Sequence, residues 1–218
     1  MVLVNARCLH YLPMAVASKF NYLKNYLKPE LISRNDRFRE KTAPVEPHQI
    51  LTEFSNLIPA AGRALDLACG GGRNTVFLVQ HGLRAIGIDL SRKALEQGRE
   101  LARQRKVIVD WVQADLESFS FPPAAFDVIV CTYFRDPKLY APIRESLRPG
   151  GLLFYETFSR EQLRFNIGPK NPAYVLEPAE LLHVFADWRV MFYRERWIDR
   201  GIAALIARKP AAQGGGQL

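Results

Sequence analysis

Three acidic residues stand in or directly after apolar runs, and the first of them is followed by glycines. Asp66 lies inside the run 64–67, four residues before the glycines 70–72. Asp89 ends the next apolar run, and Asp115 follows the third. A glycine turn between a strand and a helix lets the backbone approach a nucleotide, and an acid about 20 residues later is placed to bind ribose hydroxyls. This spacing predicts a nucleotide-type cofactor site.

The segments that carry these residues alternate strand-like and helix-like patterns, which is typical of a parallel sheet with helices on both faces. The last two strand-like runs have no helix between them and must pair as an antiparallel hairpin. Ser91 is a predicted N-cap, Gly82 a helix stop, and Pro137 and Pro178 suit first-turn positions. The predicted strands lie near 63–68, 84–88, 107–113, 126–132, 151–157, 188–195 and 201–208, and the predicted helices near 48–57, 73–81, 91–104, 137–147 and 178–186.

The order of these motifs resembles the class I S-adenosylmethionine (SAM)-dependent methyltransferases. The series Asp66, glycines 70–72, Asp89 and Asp115 continues into 126–131 and 147–153, which look like the family's fourth strand and the turn into its fifth. The resemblance covers roughly residues 45–208. It implies an α/β, Rossmann-like, seven-stranded, mostly parallel sheet with a C-terminal antiparallel hairpin. It also implies SAM as cofactor and S-adenosyl-L-homocysteine as product.

The resemblance assigns roles to the residues at the strand ends. Residues 68–72 would hold the methionine part of SAM, and Asp66 would fix its ammonium directly or by organising the loop. Asp89 would bind the ribose hydroxyls, and Asp115 with Leu116 would meet the adenine. Purely structural roles stay open: a turn acid for Asp115, a cap for Asp89, and packing for the two cysteines of this set. The predicted cofactor-binding residues are Asp66, Ala68, Cys69, Gly70, Gly72, Asn74, Asp89, Leu90, Asp115, Leu116 and Cys131.

A nicotinamide-cofactor site is the alternative to a SAM site, since both have the strand, the glycine turn and the helix. The third glycine of its G-x-G-x-x-G pattern would fall at Thr75 or Phe77, depending on where the count begins. Neither position fits. Asp66 inside the strand and the terminal hairpin also count against that cofactor.

The acceptor side should be built by residues that follow the fourth and fifth predicted strands. Glu156 and Tyr133 are the predicted catalytic residues. Glu156 could act as a general base, bind a cationic group or make a structural hydrogen bond. Methyl transfer from a sulfonium is an in-line displacement in which the cofactor brings the reactivity, so a base is optional. Asp136, directly before Pro137, is favoured as a helix cap.

The long polar segment 159–176 lies where an active-site lid would lie. Its basic residues Arg160, Arg164 and Lys170 could gather over an anionic substrate. A solvated loop is the equally weighted alternative.

Composition bounds the remaining possibilities. The 218 residues and 48% hydrophobic content fit one substantial domain. Residues 1–41 hold eight basic and three acidic residues, so +5 of the net charge of +8 belongs to an N-terminal arm. No apolar run approaches the roughly 20 residues that span a bilayer, and the three cysteines form no metal-ligand cluster. We expect an arm (1–44), a catalytic domain (45–209), a disordered tail (210–218), reduced thiols and a cytoplasmic location.

The expected function is methyl transfer to the oxygen, nitrogen or sulfur of a small molecule, by a monomer or homodimer. Residues 69–74 and 171–178 resemble small bacterial methyltransferases related to the tellurite-resistance and thiopurine group. Methylation of base amines is disfavoured because 131–134 lacks the Asp/Asn-Pro-Pro-aromatic run of those enzymes. An RNA or protein methyltransferase that uses the basic arm stays open but is not favoured, as does a SAM-binding module without turnover.

Overall fold

Seven strands form one sheet in the computed structural model, which describes residues 44–211. The strand order is β3-β2-β1-β4-β5-β7-β6. Strands β1 to β5 run parallel, and β7 lies antiparallel between β5 and β6. The predicted fold class and the C-terminal hairpin are therefore confirmed. The strands are β1 Gly62–Leu67, β2 Leu83–Asp89, β3 Asp110–Gln113, β4 Phe126–Thr132, β5 Leu147–Phe158, β6 Arg189–Arg196 and β7 Ile202–Arg208.

Five α-helices in the described range connect or precede these strands. Ser91 caps α3, since its side chain accepts from the Ala94 N–H at 3.2 Å, and Gly82 has φ +92° just after α2. Pro137 opens a 3₁₀ turn that leads into α4, as expected. Pro178 lies two residues before α5, so its predicted first-turn position is wrong. The helices are α1 Gln49–Glu53, α2 Arg73–Gln80, α3 Arg92–Gln104, α4 Tyr140–Ser146 and α5 Glu180–Val184.

The sheet is buried on both faces, which explains why its central strands read as continuous apolar runs. Side chains alternate along a strand. Ile129 and Cys131 of β4 therefore pack in one apolar cluster, and Val128 and Val130 in another. Helices α4 and α5 contribute to the first cluster, α1 and α2 to the second. This two-sided packing fixes the strand ends that carry the candidate site.

The predicted N-terminal arm and C-terminal tail lie almost entirely outside the described residues. The arm, 1–44, and the tail, 210–218, lie outside the described residues except for positions 44, 210 and 211. Within residues 44–211, no helix has both the length and the apolar character that a membrane span requires.

Candidate functional site

The carboxyl ends of four neighbouring strands form one edge of the sheet. Leu67 of β1 pairs with Ile88 of β2 on one side and with Cys131 of β4 on the other. Thr132 of β4 pairs with Glu156 of β5. The predicted cofactor residues on β1 and β2 and the predicted catalytic residues on β4 and β5 thus lie along a single edge, where open α/β sheets bind ligands.

The glycine loop after β1 is organised by Asp89. The Gly70 N–H donates to Asp89 Oδ2 at 2.8 Å, and the Ser91 N–H donates to Oδ1 at 2.8 Å. Ala68, directly after β1, has φ +52°, a left-handed conformation that costs free energy for a residue with a Cβ. Such strain persists where the surrounding structure enforces it, often at functional sites. Asp89 therefore both ends β2 and holds the loop opposite it.

Asp66 is fully buried and has one unsatisfied oxygen. The Thr75 hydroxyl donates to Asp66 Oδ2 at 2.6 Å, while Oδ1 has no hydrogen-bond partner among the described residues. Burial raises the pKa of Asp66 to about 7. The Thr75 hydrogen bond opposes this shift, and the nearby Asp89 adds to it. A buried carboxylate is costly unless a cation or donor pairs with it. This oxygen is suited to bind a positively charged ligand group.

On the acceptor side, Glu156 faces His48, which sequence reasoning missed. His48 Nε2 lies 3.5 Å from Glu156 Oε1, and both residues are about 95% buried. The His48 N–H donates to Asn74 Oδ1 at 2.8 Å, and Asn74 Nδ2 donates to Thr132 Oγ1 at 3.0 Å. The start of α1, the first turn of α2 and the end of β4 are thereby connected. A single histidine before a short helix carries no motif that would have revealed this.

Tyr133 completes this side of the edge. Its φ is +55°, so a second strand end adopts the left-handed conformation, and its N–H donates to the Glu156 carbonyl at 2.8 Å. Its ring lies 5.0 Å from the His48 ring and 5.2 Å from the Phe158 ring. The side chain is 39% exposed. These rings form an aromatic wall beside the buried Glu156–His48 pair.

The electrostatic surroundings keep the His48 imidazole neutral. Burial lowers the pKa of His48 to about 4, and Arg73, Arg194 and Arg200 contribute in the same direction. Burial raises the pKa of Glu156, against the opposing effect of Arg194, whose Nη2 lies 3.6 Å from Glu156 Oε2. The acceptor side thus holds a neutral base beside a carboxyl group and three guanidinium groups.

Known proteins resemble this chain in sequence and in fold. A family model described as a methyltransferase domain matches residues 64–151. The ubiquinone biosynthesis O-methyltransferase of Methylococcus capsulatus is 31% identical over 149 residues, which cover 65% of this chain and 63% of that protein. The chain therefore spans less than two thirds of the length of this curated relative.

Two solved structures share the fold at low identity. TehB from Haemophilus influenzae has a TM-score of 0.64 at 20% identity, with 81% of this chain and 67% of that chain covered. A SAM-dependent methyltransferase from Methanosarcina mazei has a TM-score of 0.61 at 19% identity, with 77% and 100% covered. Residues 64–151 therefore match the methyltransferase-domain family, and the two solved structures show that the fold of this chain is shared with proteins of low identity.

The residues at the end of β1 fit SAM, the cofactor that the sequence resemblance implies. The buried, unsatisfied Asp66 oxygen matches a cationic group, and the loop 68–72 lacks the Lys-Ser/Thr ending of a phosphate-binding P-loop. SAM has no phosphate and carries an ammonium and a sulfonium. The polar chemistry at the end of β1 is therefore that of SAM rather than of a nucleotide phosphate.

One glycine of the loop has a structural function that the sequence analysis did not foresee. A Cβ on Gly72 would lie 2.2 Å from the Trp111 ring, and Cβ atoms on Gly87 and Gly98 would lie 2.9 and 2.7 Å from the same ring. The indole of β3 thus packs where the glycine loop, β2 and α3 all lack side chains. Gly72 is required by this packing as well as by its φ of +74°.

The predicted adenine side lies at the β2–β3 end of the edge. Asp115 Oδ1 accepts from the Glu117 N–H at 3.2 Å, as a turn acid does. Leu116 is 7% exposed and packs in the larger apolar cluster. The Leu90 carbonyl accepts from Gln113 Nε2 at 3.3 Å.

The two cysteines of the predicted cofactor set are packing residues in this structure. Cys131 is fully buried in the larger apolar cluster, and burial raises its pKa to about 12. Cys69 is 8% exposed, and burial raises its pKa as well. Within residues 44–211, no group of three or more His, Cys, Asp or Glu side chains could hold a metal ion.

The basic residues of segment 159–176 do not gather over the acceptor side. Arg160 pairs with Glu177, Arg164 pairs with Glu161 at 2.8 Å, and Lys170 donates to the Phe165 carbonyl. Of the two alternatives for this segment, the solvated loop agrees better with these pairings. Asp136 accepts from the Lys138 N–H at 3.0 Å, so its predicted capping role is confirmed.

Proposed function

We propose that this protein transfers the methyl group of SAM to a hydroxyl of a small molecule. The observation that carries the proposal is the shared sheet edge. Asp66 and Asp89 lie on its β1–β2 side, and Tyr133 and Glu156 lie on its β4–β5 side. A cofactor held by the first pair would present its reactive end toward the second pair. Bound SAM supplies an activated methyl group, and the protein has to supply alignment.

On the cofactor side, we infer that Asp66 binds the ammonium and that Asp89 binds the ribose hydroxyls. Asp89 keeps acceptor capacity while it holds Gly70 N–H, since an ionised carboxylate offers about four lone-pair sites. Loop 68–72 lies between the two acids and would hold the methionine chain. Asn74 acts less directly, because its side chain is already bonded to His48 and Thr132.

On the acceptor side, we infer that Tyr133 and Phe158 exclude water and position the acceptor ring or chain. Tyr133 lies between His48 and Phe158 and is partly exposed, so an incoming molecule can contact it. Glu156 is too deeply buried to meet bulk solvent. Its raised pKa makes it a proton acceptor or a partner of one.

The choice of a hydroxyl acceptor draws on the relatives, whose names describe O-methylation in ubiquinone biosynthesis. For this chain a nitrogen or sulfur acceptor stays an alternative, as does membership of the tellurite-resistance and thiopurine group. A cytoplasmic location and a monomeric or homodimeric state also remain predictions.

Methyl-labelled SAM, incubated with the purified protein and a fractionated cell extract, tests the proposal. We expect label in the small-molecule fraction, and mass spectrometry would then identify the methylated atom. An Asp89→Ala variant, incubated in parallel, should incorporate almost none. Label that RNase or protease removes would contradict the proposal and favour a polymer substrate steered by the basic arm. No label from wild-type protein that still binds SAM would favour a binding module without turnover.

A further inference from the structure

We propose that His48 is a catalytic residue that takes the proton from the acceptor hydroxyl, and that Glu156 is its positioning partner rather than the base itself. This inference rests on the proposed methyl transfer to a hydroxyl. It replaces the simpler expectation that Glu156 removes the proton directly.

The first argument is that a deeply buried histidine–carboxyl pair leaves an imidazole nitrogen without a hydrogen-bond partner. His48 and Glu156 are 5% and 4% exposed, and Nε2 lies 3.5 Å from Oε1. His48 Nδ1 has no hydrogen-bond partner among residues 44–211, and Glu156 Oε2 has only the Arg194 guanidinium, 3.6 Å away. Buried polar atoms are nearly always satisfied, and the exceptions often mark a reacting site. With Nε2 turned to Glu156, Nδ1 is the unpaired nitrogen; it is buried without ligand, so the acceptor has to displace a neighbouring side chain to reach it.

The second argument is that backbone contacts fix the position of the imidazole. The His48 N–H donates to Asn74 Oδ1, and Asn74 in turn donates to Thr132 at the end of β4. Tyr133, the next residue, places its ring 5.0 Å from the imidazole in an edge-on arrangement. A base must be held in place to act, and these contacts hold His48 at the acceptor side of the edge.

The third argument is the balance of charge around the pair. Arg73 on α2, Arg194 on β6 and Arg200 after β6 all disfavour the imidazolium, as burial does. An ionised Glu156, whose Oε1 lies 3.5 Å from Nε2, would favour it, as a nearby opposite charge does. Glu53 on α1 raises the pKa of Glu156 and Arg196 on β6 lowers it. His48 therefore stays unprotonated at neutral pH and can accept a proton. The carboxylate beside it stabilises the imidazolium that forms.

The chemical step is balanced without a further reactant. The acceptor oxygen forms a bond to the methyl carbon while the carbon–sulfur bond breaks and its electron pair stays on the sulfur. The hydroxyl proton moves to His48 Nδ1 and later leaves to solvent. An oxygen that gains a methyl group while still protonated is a strong acid, so a base with a pKa of about 4 is sufficient.

Nitrogen-15 spectra of the imidazoles test the pair without any substrate. In SAM-loaded wild-type protein we expect His48 to be neutral at pH 7 with the proton on Nε2. In Glu156→Gln the pKa of His48 should fall further, because an anion next to the imidazole is removed. A His48 that is protonated at pH 7, or whose Nδ1 carries the proton, would overturn the proposal.

Turnover tests the same residue with the acceptor isolated by the labelling experiment. We expect His48→Gln to lose about 100-fold in kcat, within the usual range for a general base, with unchanged SAM affinity by calorimetry. Glu156→Gln should lose roughly tenfold. His183→Gln on α5, an exposed histidine, should keep wild-type kcat.

The backbone bond from His48 to Asn74 does not depend on the side chain, so folding should survive the substitution. His48→Asn, a smaller change in volume than alanine, provides a second variant, and thermal unfolding checks both. A His48→Gln enzyme with wild-type kcat would exclude the base. Absence of labelled product from the wild type would instead exclude the methyl transfer proposed above.

Discussion

Asp66 and Glu156 are both buried carboxyl groups on parallel strands, but their partners come from different distances along the chain. Asp66 is bonded to Thr75, in the first turn of the helix that follows its own strand. Glu156 lies against His48, which precedes the first helix, and Arg194, on the last hairpin. Burial raises the pKa of both acids. The cofactor side is therefore assembled locally, and the acceptor side from three separate parts of the sequence.

This difference explains why a shared fold does not by itself fix the substrate. The cofactor side is a continuous strand, loop and helix, so its residues occur at a recognisable spacing. The acceptor side depends on which side chains the other segments bring to β4 and β5. Residues on such segments can change without altering the strand ends of the proposed cofactor site.

The largest expected effect is on the glycine loop. In Gly72→Ala the new methyl would lie 2.2 Å from the Trp111 ring, at φ +74°. We expect a loss of about 4 kcal/mol in unfolding free energy, from overpacking added to left-handed strain. Urea unfolding would measure this.

Gly150→Ala is the matched control, since φ is +79° there and a Cβ meets nothing within 4 Å. It should cost about 1–2 kcal/mol, the strain alone. Trp111→Leu in the Gly72→Ala background should recover part of the loss. Equal costs for the two alanines would contradict the packing argument.

The next effect concerns Asp89. Asp89→Ala removes the acceptor for the Gly70 N–H and the proposed ribose ligand, so SAM affinity should fall about 100-fold while the protein stays folded. Calorimetric titration measures the affinity. Asp110→Ala, at the amino end of β3, is the control and should bind SAM normally. Undiminished SAM affinity in Asp89→Ala would show that Asp89 has only a structural role, as acceptor for the Gly70 and Ser91 N–H groups.

A smaller effect is the pH dependence from Asp66. Its pKa of about 7 without ligand means that the carboxyl is mostly protonated at pH 6 and ionised at pH 8. If the ionised form binds the ammonium, SAM affinity should rise about tenfold between these values. Asp66→Asn should abolish this rise. Ionisation of SAM itself affects both proteins equally, so it cancels in the ratio of wild-type to variant affinity. A constant ratio would leave Asp66 with a loop-organising role alone.

Asp66 should affect folding stability and SAM affinity in opposite directions as pH rises. Because folding raises the pKa of Asp66 from 3.8 to about 7, the folded protein binds the extra proton. Its contribution to stability is therefore full below pH 4 and is lost as pH rises toward 7. Unfolding of wild-type and Asp66→Asn protein without SAM should diverge across this window.

The smallest expected effect on turnover is that of Arg160, in segment 159–176, and Arg194, beside Glu156, is its comparison. Arg160 is half-exposed and paired with Glu177, so Arg160→Ala should change turnover less than twofold and stability by less than about 1 kcal/mol. Arg194→Ala removes a guanidinium from beside Glu156 and His48 and should change turnover more. A larger loss in Arg160→Ala would restore segment 159–176 as the substrate-binding region.

Prediction from sequence was accurate where strands are buried on both faces. Strands β1, β2 and β4 were located within two residues, because parallel buried strands read as apolar runs. The edge strand β3 was predicted from residue 107 but begins at Asp110, since only 110–113 pair with β2. The sequence did not reveal that Arg160, Arg164 and Lys170 are paired. Composition does not show which carboxylate or backbone carbonyl lies next to a given basic side chain.

The sequence by itself determined the sheet, its terminal hairpin and the glycine loop with its acids, because these depend on hydrophobic periodicity and on spacing within one strand–loop–helix unit. Tertiary structure alone decided that Trp111 packs against Gly72 and that His48 faces Glu156. Both contacts join residues that are far apart in sequence. A side chain in a contact of that kind carries no local signature, since only the folded sheet brings its partner within reach.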